Sequence, residues 1–194
     1  MELYKYCDKN GVNILRHKVL KLSRIDEFND PHEFRIAKSE NEEINRAVDA
    51  LYNFQKESYR VICFSSRYNN LILWSHYSKN HTGILIKFDT GLIVVNGNKR
   101  LSSYLEEVEY KDDMIIIPDN FLELDEKTQE NIIRKNTYRK YTDWRYEDEY
   151  RAIVKFDHIE NKRYMDLPPE SILEVIIGLH CDLETELRVP LKIS

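Results

Sequence analysis

The amino-acid sequence predicts a single α+β domain, and three observations support this fold class. A chain of 194 residues is long enough for one domain with a sizeable core. Many short segments rich in β-branched and apolar residues, typical of strands, accompany a few helical segments without the regular strand–helix alternation of a doubly wound sheet. No internal repeat, low-complexity tract or Pro/Gly/Ser-rich linker interrupts the sequence, so we predict one domain over residues 1–194.

The first 80 residues are predicted to hold three strands and three helices. LYKY is a short strand, which an Asn-Gly turn connects to a short helix, and VLKLS is a strand that leads into an ordered loop. Residues 40–57 are predicted to be helical, because Ser39 and Glu42 form a capping box ahead of an apolar stripe. YRVICFSS is predicted to be a buried strand and NNLILWSHYSKN a helix with Leu71, Trp74 and Tyr77 on one face.

The chain after residue 80 is predicted to be mostly strand. GILIKFD, GLIVV, EEVEY and MIIIP all have strand composition, and LEVIIG does too. The segment from about Leu124 to Tyr141 is predicted to be the second long helix, with Pro118 shortly before it. EDEYRAIVKF is predicted to be a strand because its apolar and polar residues alternate strictly.

Composition narrows the class of protein. Hydrophobic residues make up 42% and charged residues 32%, which is typical of a globular chain, and no apolar run approaches the roughly 18 residues of a membrane span. The three cysteines, Cys7, Cys63 and Cys181, are odd in number and widely spaced, so neither a structural zinc site nor a disulfide framework is predicted. Without the apolar segment of a secretory signal, we expect a cytoplasmic protein with reduced thiols and no membrane contact.

The charge distribution argues against an extended nucleic-acid surface. The net charge is −5, whereas such surfaces need clustered Lys and Arg. One basic stretch interleaved with aromatic residues exists: Arg134, Lys135, Tyr138, Arg139, Lys140, Tyr141, Trp144 and Arg145. A solvated helix face is the favoured explanation, and contact with nucleic acid is the alternative.

Candidate site residues cluster on the strand after Trp144. Alternation places one set of side chains on an apolar face, namely Tyr150, Ala152, Val154 and Phe156, and a charged set on the other, namely Glu147, Glu149 and Arg151. Such a strand is either half-buried with a solvated polar face, or it presents a catalytic site. Two carboxylates two residues apart beside an arginine are compatible with both interpretations.

Other polar residues offer weaker candidates. His76 lies within one helical turn of Ser75 and Tyr77, but its spacing to His81 does not place two metal ligands on one helix face, so no metal site is predicted. The loop EFNDPHE could bind a cation or a ribose through Asn29, Asp30, His32 and Glu33, although turn formation alone explains it. Ser65 and Ser66 end a buried strand, without the GxSxG elbow of a hydrolase.

Taken in order, these motifs resemble one bacterial family of unknown function. LYKY, L-x-L-S with FNDPHEF, ICFSS, LxWSHY, HTGxxxxFD, W-x-YEDEYR and IIG are similar to the domain-of-unknown-function family 2971. The resemblance extends from about Leu3 to Gly178. The family name implies no reaction.

A more remote resemblance implies one. LYKY, the short helix and VLKLS are similar to the opening of DarT-like and other ADP-ribosyltransferases. That resemblance implies mixed or antiparallel strands in a split two-sheet core flanked by two to three helices. Those enzymes carry a His or Arg on the first strand, a Ser- or Tyr-bearing second motif, and a Glu on a later strand. Lys5 stands at the first position in place of His or Arg, Ser65 and Ser66 lie near the second, and Glu149 matches the third, with Glu147 completing an E-x-E.

The resemblance implies an enzyme that consumes NAD, with Glu149 and Glu147 catalytic. NAD would be bound by residues near the first two motifs and the histidine-bearing helix, namely Lys5, Tyr6, Ser65, Ser66, His76 and Tyr77. Asn29, Asp30 and Arg151 would contact the substrate. The implied acceptor is a nucleic acid or a protein, and the implied role is a toxin or antiphage effector with a possible antitoxin or inhibitor protein as partner.

Two alternatives stay open. One is a metal-dependent nuclease or other hydrolase that uses Asp30, Glu33, His76 and Glu149 with Mg²⁺. The other is a non-catalytic module that binds a ligand or a protein. A Rossmann-type NAD site is not predicted, because the chain has five glycines and no GxGxxG motif.

Overall fold

The computed structural model describes residues 1–30, 32–34, 39–113, 115–155 and 163–182, and it confirms the α+β class. The helices are α1 (Val12–His17), α2 (Glu42–Ser58), α3 (Leu71–Tyr77) and α4 (Glu126–Thr137). The longer strands are β1 (Glu2–Cys7), β3 (Tyr59–Ser65), β4 (Ile84–Asp89), β10 (Glu149–Lys155) and β12 (Ile172–Ile177). The shorter strands are β2 (Val19–Lys21), β5 (Val94–Val95), β6 (Lys99–Arg100), β7 (Leu105–Glu107), β8 (Glu109–Tyr110), β9 (Arg139–Lys140) and β11 (Tyr164–Asp166). Within these ranges, no helix is long and apolar enough to cross a membrane.

The main sheet has six strands in the order β12-β4-β1-β3-β10-β7, and neighbouring strands are antiparallel. β1 pairs with β4 along its whole length, but it pairs with β3 only at Tyr4 and Ser65. Further along β3, Val61 instead forms a bridge with Ser23, just after β2. The sheet is therefore only narrowly connected between β1 and β3, with three strands on either side of this split.

The main hydrophobic core covers one face of this sheet. Ala152 and Val154 of β10 are fully buried in it, together with Phe64 of β3 and Phe88 of β4, whose rings meet edge to face. Tyr150 packs against the same core. The predicted apolar face of β10 is thus confirmed, except that Phe156 lies outside the described residues.

Several element boundaries differ from the prediction. Helix α2 begins after Asn41, whose side chain accepts a hydrogen bond from the Glu43 amide, so the predicted capping box at Ser39 is wrong. The Ser39 hydroxyl instead accepts from the Asn41 amide and donates to Asp119. Helix α4 ends at Thr137, because the next residues leave the helix to form β9 alongside β8.

The predicted strands in the middle of the chain are shorter than their composition implied. GLIVV contributes only β5, and EEVEY is divided between β7, which pairs with β10, and β8, which pairs with β9. In the described part of MIIIP, Ile116 is 73% exposed while Ile117 packs in a cluster with Ile44 and Phe121, so no strand forms there. These side chains fill a small local core rather than a sheet face.

The predictions for helix α3 and for the start of β10 are also wrong in part. In α3 the buried side chains are Leu73 and Trp74, while Leu71 is 72% exposed. Glu147 does not lie on β10 but ends a 3-10 helix, Thr142–Glu147, and Asp148 follows it in a left-handed conformation with φ of 41°.

Candidate functional site

A cleft opens where the sheet is split. Its volume is about 420 Å³, within the roughly 300–1,000 Å³ typical of small-molecule sites. Both halves of the sheet contribute to it, together with α3 and the segment before residue 30. Its lining residues are Tyr4, Lys5, Tyr6, Ser23, Glu27, Phe28, Asn29, Cys63, Phe64, Ser65, Leu73, His76, Tyr77, Lys140, Glu147 and Glu149.

Glu147 and Glu149 both reach this cleft although only Glu149 is on a strand. Glu149 lies opposite Ser65 in the β3–β10 register, and its amide donates to the hydroxyl of Tyr110 at 2.8 Å. The left-handed turn at Asp148 separates the two glutamates, and the Ser65 hydroxyl donates to the Glu147 carbonyl at 2.6 Å. Local backbone geometry, rather than strand alternation, therefore brings the two carboxylates to one place.

Two buried cations hold the carboxylates. Arg151 Nε and Nη2 donate to Glu149 Oε1 and Oε2 at 2.8 and 3.0 Å, and Arg151 also pairs with Glu33. Lys140 Nζ lies 2.6 Å from Glu147 Oε2 and 3.2 Å from Glu149 Oε2. The side chains of these five residues are at most 5% exposed, and with every group ionised the three carboxylates would exceed the two cations by one negative charge.

The cluster shifts the pKa values of the two cleft carboxyls in opposite directions. Burial opposes the charge of Glu149, but Arg151 and Lys140 outweigh burial and hold its pKa well below the usual range. Burial raises the pKa of Glu147; Lys140 opposes this effect and the charge of Glu149 adds to it, so the net pKa is raised. Glu149 is therefore a permanent anion at neutral pH, whereas Glu147 exchanges a proton more readily.

A tyrosine completes the acidic end of the cleft. The Tyr77 hydroxyl donates to Glu147 Oε1 at 2.5 Å, and burial together with the Glu147 charge raises the pKa of Tyr77. His76, next to it on α3, is exposed, and its Nδ1 lies 3.0 Å from the hydroxyl of Tyr146. α3 thus contributes a neutral phenol to the carboxylates and an imidazole to the rim.

Lys5 spans the split in the sheet. Its Nζ donates to the Cys63 carbonyl of β3 at 2.9 Å, an acceptor that β1 does not pair, and lies 5.7 Å from the centre of the Phe64 ring. A lysine ammonium has three donors, so this contact leaves donors that can face the cleft. Tyr6 is anchored differently, because its hydroxyl donates to the Arg67 carbonyl and accepts from the Asn70 amide.

The two serines after the buried strand behave differently. Ser65 lines the cleft, is 5% exposed, and accepts from the Arg67 amide in addition to its contact with Glu147. Ser66 is exposed and is not among the cleft-lining residues; its amide donates to the Asp148 carbonyl. The structure brings Ser65, but not Ser66, together with the carboxylates.

The three predicted substrate contacts also separate. Asn29 lines the cleft, whereas Asp30 lies with Glu33 beside a second, much smaller cavity of about 30 Å³. The Arg151 side chain is 0% exposed and lies behind Glu149, so it acts on the site only through that carboxylate. Asp30 and Glu33 therefore do not share a cavity with His76, and the described residues contain no group of three or more potential metal ligands.

Lys140 is the residue of the site that the sequence analysis missed. It belongs to the basic stretch for which solvation was the favoured explanation, yet its side chain is only 3% exposed. Its neighbours Arg134 and Arg139 pair with Glu106 and with Glu109, respectively. The local sequence carries no signal that separates Lys140 from them, because its carboxylate partners lie on other elements.

Comparison with protein-family models supports the predicted family. Residues 73–152 match the family described as Protein of unknown function (DUF2971). This stretch begins in α3 and ends within β10, so it includes Tyr77, Lys140, Glu147 and Glu149 but not β1 or β3. Comparisons with curated proteins and with solved structures found no match. Over residues 73–152, the chain is thus similar to the DUF2971 family.

Proposed function

We propose that the protein is an ADP-ribosyltransferase-like enzyme that breaks the nicotinamide–ribose bond of NAD in the cleft. One observation carries this proposal: β1, β3 and β10, which bear the three predicted motifs, are consecutive in the sheet, and the cleft lies at the split between β1 and β3. Strands far apart in sequence have thus assembled Lys5, Ser65 and Glu149 around one cavity.

Glu149 is suited to stabilise the transition state. Loss of nicotinamide, which leaves with the electron pair of the broken bond, generates positive charge on the ribose. A carboxylate that stays ionised and is fixed on a strand can stabilise that charge with little reorganisation. Arg151 and Lys140 keep Glu149 ionised because they lower its pKa, and their hydrogen bonds fix its position.

Glu147 is suited to act on the acceptor. The acceptor must lose a proton as it attacks the ribose carbon, and a carboxylate with raised pKa at the same end of the cleft can take that proton. Tyr77 holds Glu147 Oε1 and directs the carboxylate toward the cavity that both residues line. The overall reaction releases nicotinamide and one proton and joins ADP-ribose to the acceptor.

The remaining cleft residues fit a dinucleotide. Lys5 presents an ammonium group in the cavity, and lysine is a common partner of phosphate oxygens. Asn29 and Ser23 add polar groups at the part of the lining contributed by the N-terminal segment. A nucleic acid or protein acceptor, and an effector role held in check by an inhibitor protein, belong to the same proposal and can be examined through growth arrest on expression.

A ligand-binding module without turnover is the second candidate. It is favoured by the number of contacts on Glu149, since both of its oxygens already accept hydrogen bonds from buried cations. A metal-dependent hydrolase finds less support. Lys140 and Arg151 stand beside the carboxylates where a divalent cation would be needed, and Asp30 faces the other cavity.

The test is release of nicotinamide from NAD by the purified protein, with nucleic acid and cell extract offered as acceptors. We expect turnover by the wild type and a loss of about 100-fold or more in Glu149→Gln, the order expected when a transition-state contact is removed. Glu174→Gln, the same change at an exposed position of β12, is the matched control and should keep full activity.

Folding of the variant has to be verified independently. Glu149 also neutralises Arg151, and removing one partner of a buried ion pair costs about 3 kcal/mol or more. Circular dichroism of Glu149→Gln at the assay temperature separates lost chemistry from lost structure. Binding of NAD without release by either protein would reject the transferase and favour the binding module.

A further inference from the structure

The arrangement of the acidic end assigns a specific task to Lys140. Two carboxylates that face one cleft repel each other, and without a counter-charge between them one of the two takes up a proton. Glu149 has Arg151 as a bidentate partner on its far side, but Arg151 does not contact Glu147. Among the described residues, the cation within 4 Å of both Glu147 and Glu149 is Lys140.

We propose that Lys140 is a positioning residue that holds Glu147 and Glu149 together and keeps Glu147 available as a base. The role of Glu147 as a base rests on the proposed function. The effect of Lys140 on the proton affinity of Glu147 does not. The Lys140 ammonium has three donors, and three carboxylates surround it, at 2.6 Å (Glu147), 3.2 Å (Glu149) and 3.5 Å (Glu33).

The location of Lys140 favours this role over a purely structural one. It lies on β9, a two-residue strand that pairs in parallel with β8 beside the sheet, and its ammonium is 4.8 Å from the centre of the Trp144 ring. The ring shields the ammonium on one side, while Lys140 remains part of the cleft lining on the other. A buried ammonium that reaches the cavity can act on a bound substrate through both carboxylates at once.

The groups that set the proton affinity of this end come from several elements. The charged partners of Lys140 are Glu33, Glu147 and Glu149, and Tyr77 of α3 also faces it. Glu147 additionally has Tyr77 as a hydrogen-bond donor, and Glu149 has Arg151 and Cys63. Because Lys140 contributes the main positive charge near Glu147, removing it should raise the proton affinity of Glu147 more than that of Glu149, which retains Arg151.

The experiment measures that proton affinity directly and through activity. Carboxyl NMR of the full chain, assigned with Glu147→Gln, follows the titration of Glu147, and the rate of nicotinamide release is recorded against pH. We expect Lys140→Met to move both the Glu147 titration and the acid limb of kcat/KM upward by at least about one pH unit, the scale of a lost neighbouring charge. Lys140→Arg, which keeps the charge, should restore both toward the wild-type values.

Two controls protect the interpretation. Lys135→Met makes the same change at an exposed lysine of α4 and should move neither quantity. If Lys140→Met does not fold, Glu33→Gln/Lys140→Met restores the charge balance and is compared with Glu33→Gln alone. An unchanged Glu147 titration in a folded Lys140 variant would overturn the inference and leave Lys140 a packing role. If the wild type releases no nicotinamide, the proposed transferase is rejected. If Lys140→Met still shifts the Glu147 titration in that case, the role of Lys140 is nevertheless supported.

Discussion

Individual residues of the acidic end differ in what their charge does to stability. Glu149 has a lowered pKa, so its contribution to stability is present above its unfolded pKa and is lost as the pH falls through the folded value. Glu147 has a raised pKa, so its contribution has the opposite sign: it is present below the unfolded pKa and lost as the pH rises through the folded value. At neutral pH, ionised Glu147 therefore costs stability, which is common for groups held in place for function.

The first prediction concerns this cost. Glu147→Gln removes a buried carboxyl whose charged form is disfavoured, so we expect the variant to be more stable than the wild type at pH 8 by about 1 kcal/mol, the scale of a pKa shift of one unit. Toward pH 4 the gap should close, because Glu147 is then protonated and resembles glutamine. Urea unfolding at a series of pH values gives the comparison, and Glu174→Gln serves as the exposed control. A variant less stable than wild type at pH 8 would contradict the sign derived for Glu147.

At the scale of the elements, the sequence was informative wherever local pattern decides the structure. The alternation in β10 correctly placed Ala152 and Val154 in the core, since a strand imposes its period on any sequence it contains. It failed at Glu147, because the left-handed turn at Asp148 ends the alternation, and an aspartate adopts this conformation more readily than most residues without requiring it. It failed also for Lys140, whose burial depends on partners from β10 and from the loop that carries Glu33.

The Asn70 side chain adds a link between the start of helix α3 and the 3-10 helix that carries Glu147. Asn70 caps α3 by accepting from the Ile72 and Leu73 amides, and its amide nitrogen donates to the Tyr146 carbonyl at 2.7 Å. Tyr77 is at the other end of the same helix. Asn70 thus couples the element that carries Tyr77 to the element that carries its partner Glu147.

The second prediction follows from that link. Asn70→Ala should lower the free energy of unfolding by about 1–2 kcal/mol, since caps alone contribute roughly 0.5–2 kcal/mol, and should reduce nicotinamide release as well. Asn41→Ala removes the exposed cap of α2, for which the described residues show no such second contact, and should affect stability alone. Chemical denaturation and the release assay on both variants test this, and equal activity of the two would show that the Tyr146 contact does not matter for the site.

At the scale of the whole molecule, the site depends on a six-stranded sheet in which β1 and β3 are neighbours but pair at one position only. The β12-β4-β1 half contributes Lys5, and the β3-β10-β7 half contributes Ser65 and Glu149. A ligand in the split therefore contacts both halves. The composition of the longer strands indicates which segments are strands. The interruption between β1 and β3 arises from tertiary packing, and only the remote resemblance to ADP-ribosyltransferases implied a split core.

The third prediction tests whether the split is the ligand site. Lys5 crosses from β1 to the Cys63 carbonyl, so Lys5→Met removes both a link between the halves and the ammonium proposed to meet the diphosphate. We expect the rise in melting temperature caused by NAD to disappear or to require about tenfold more NAD, because ligand stabilisation of the folded state depends on the ratio of the NAD concentration to Kd. Without ligand, the variant should lose about 1–3 kcal/mol of stability, the value of a hydrogen bond from a charged donor.

Lys99→Met, on exposed strand β6 away from the cleft, should keep the wild-type response to NAD. If Lys5→Met responds to NAD as the wild type does, the dinucleotide does not bind across the split, and Lys5 serves only to join the two halves of the sheet.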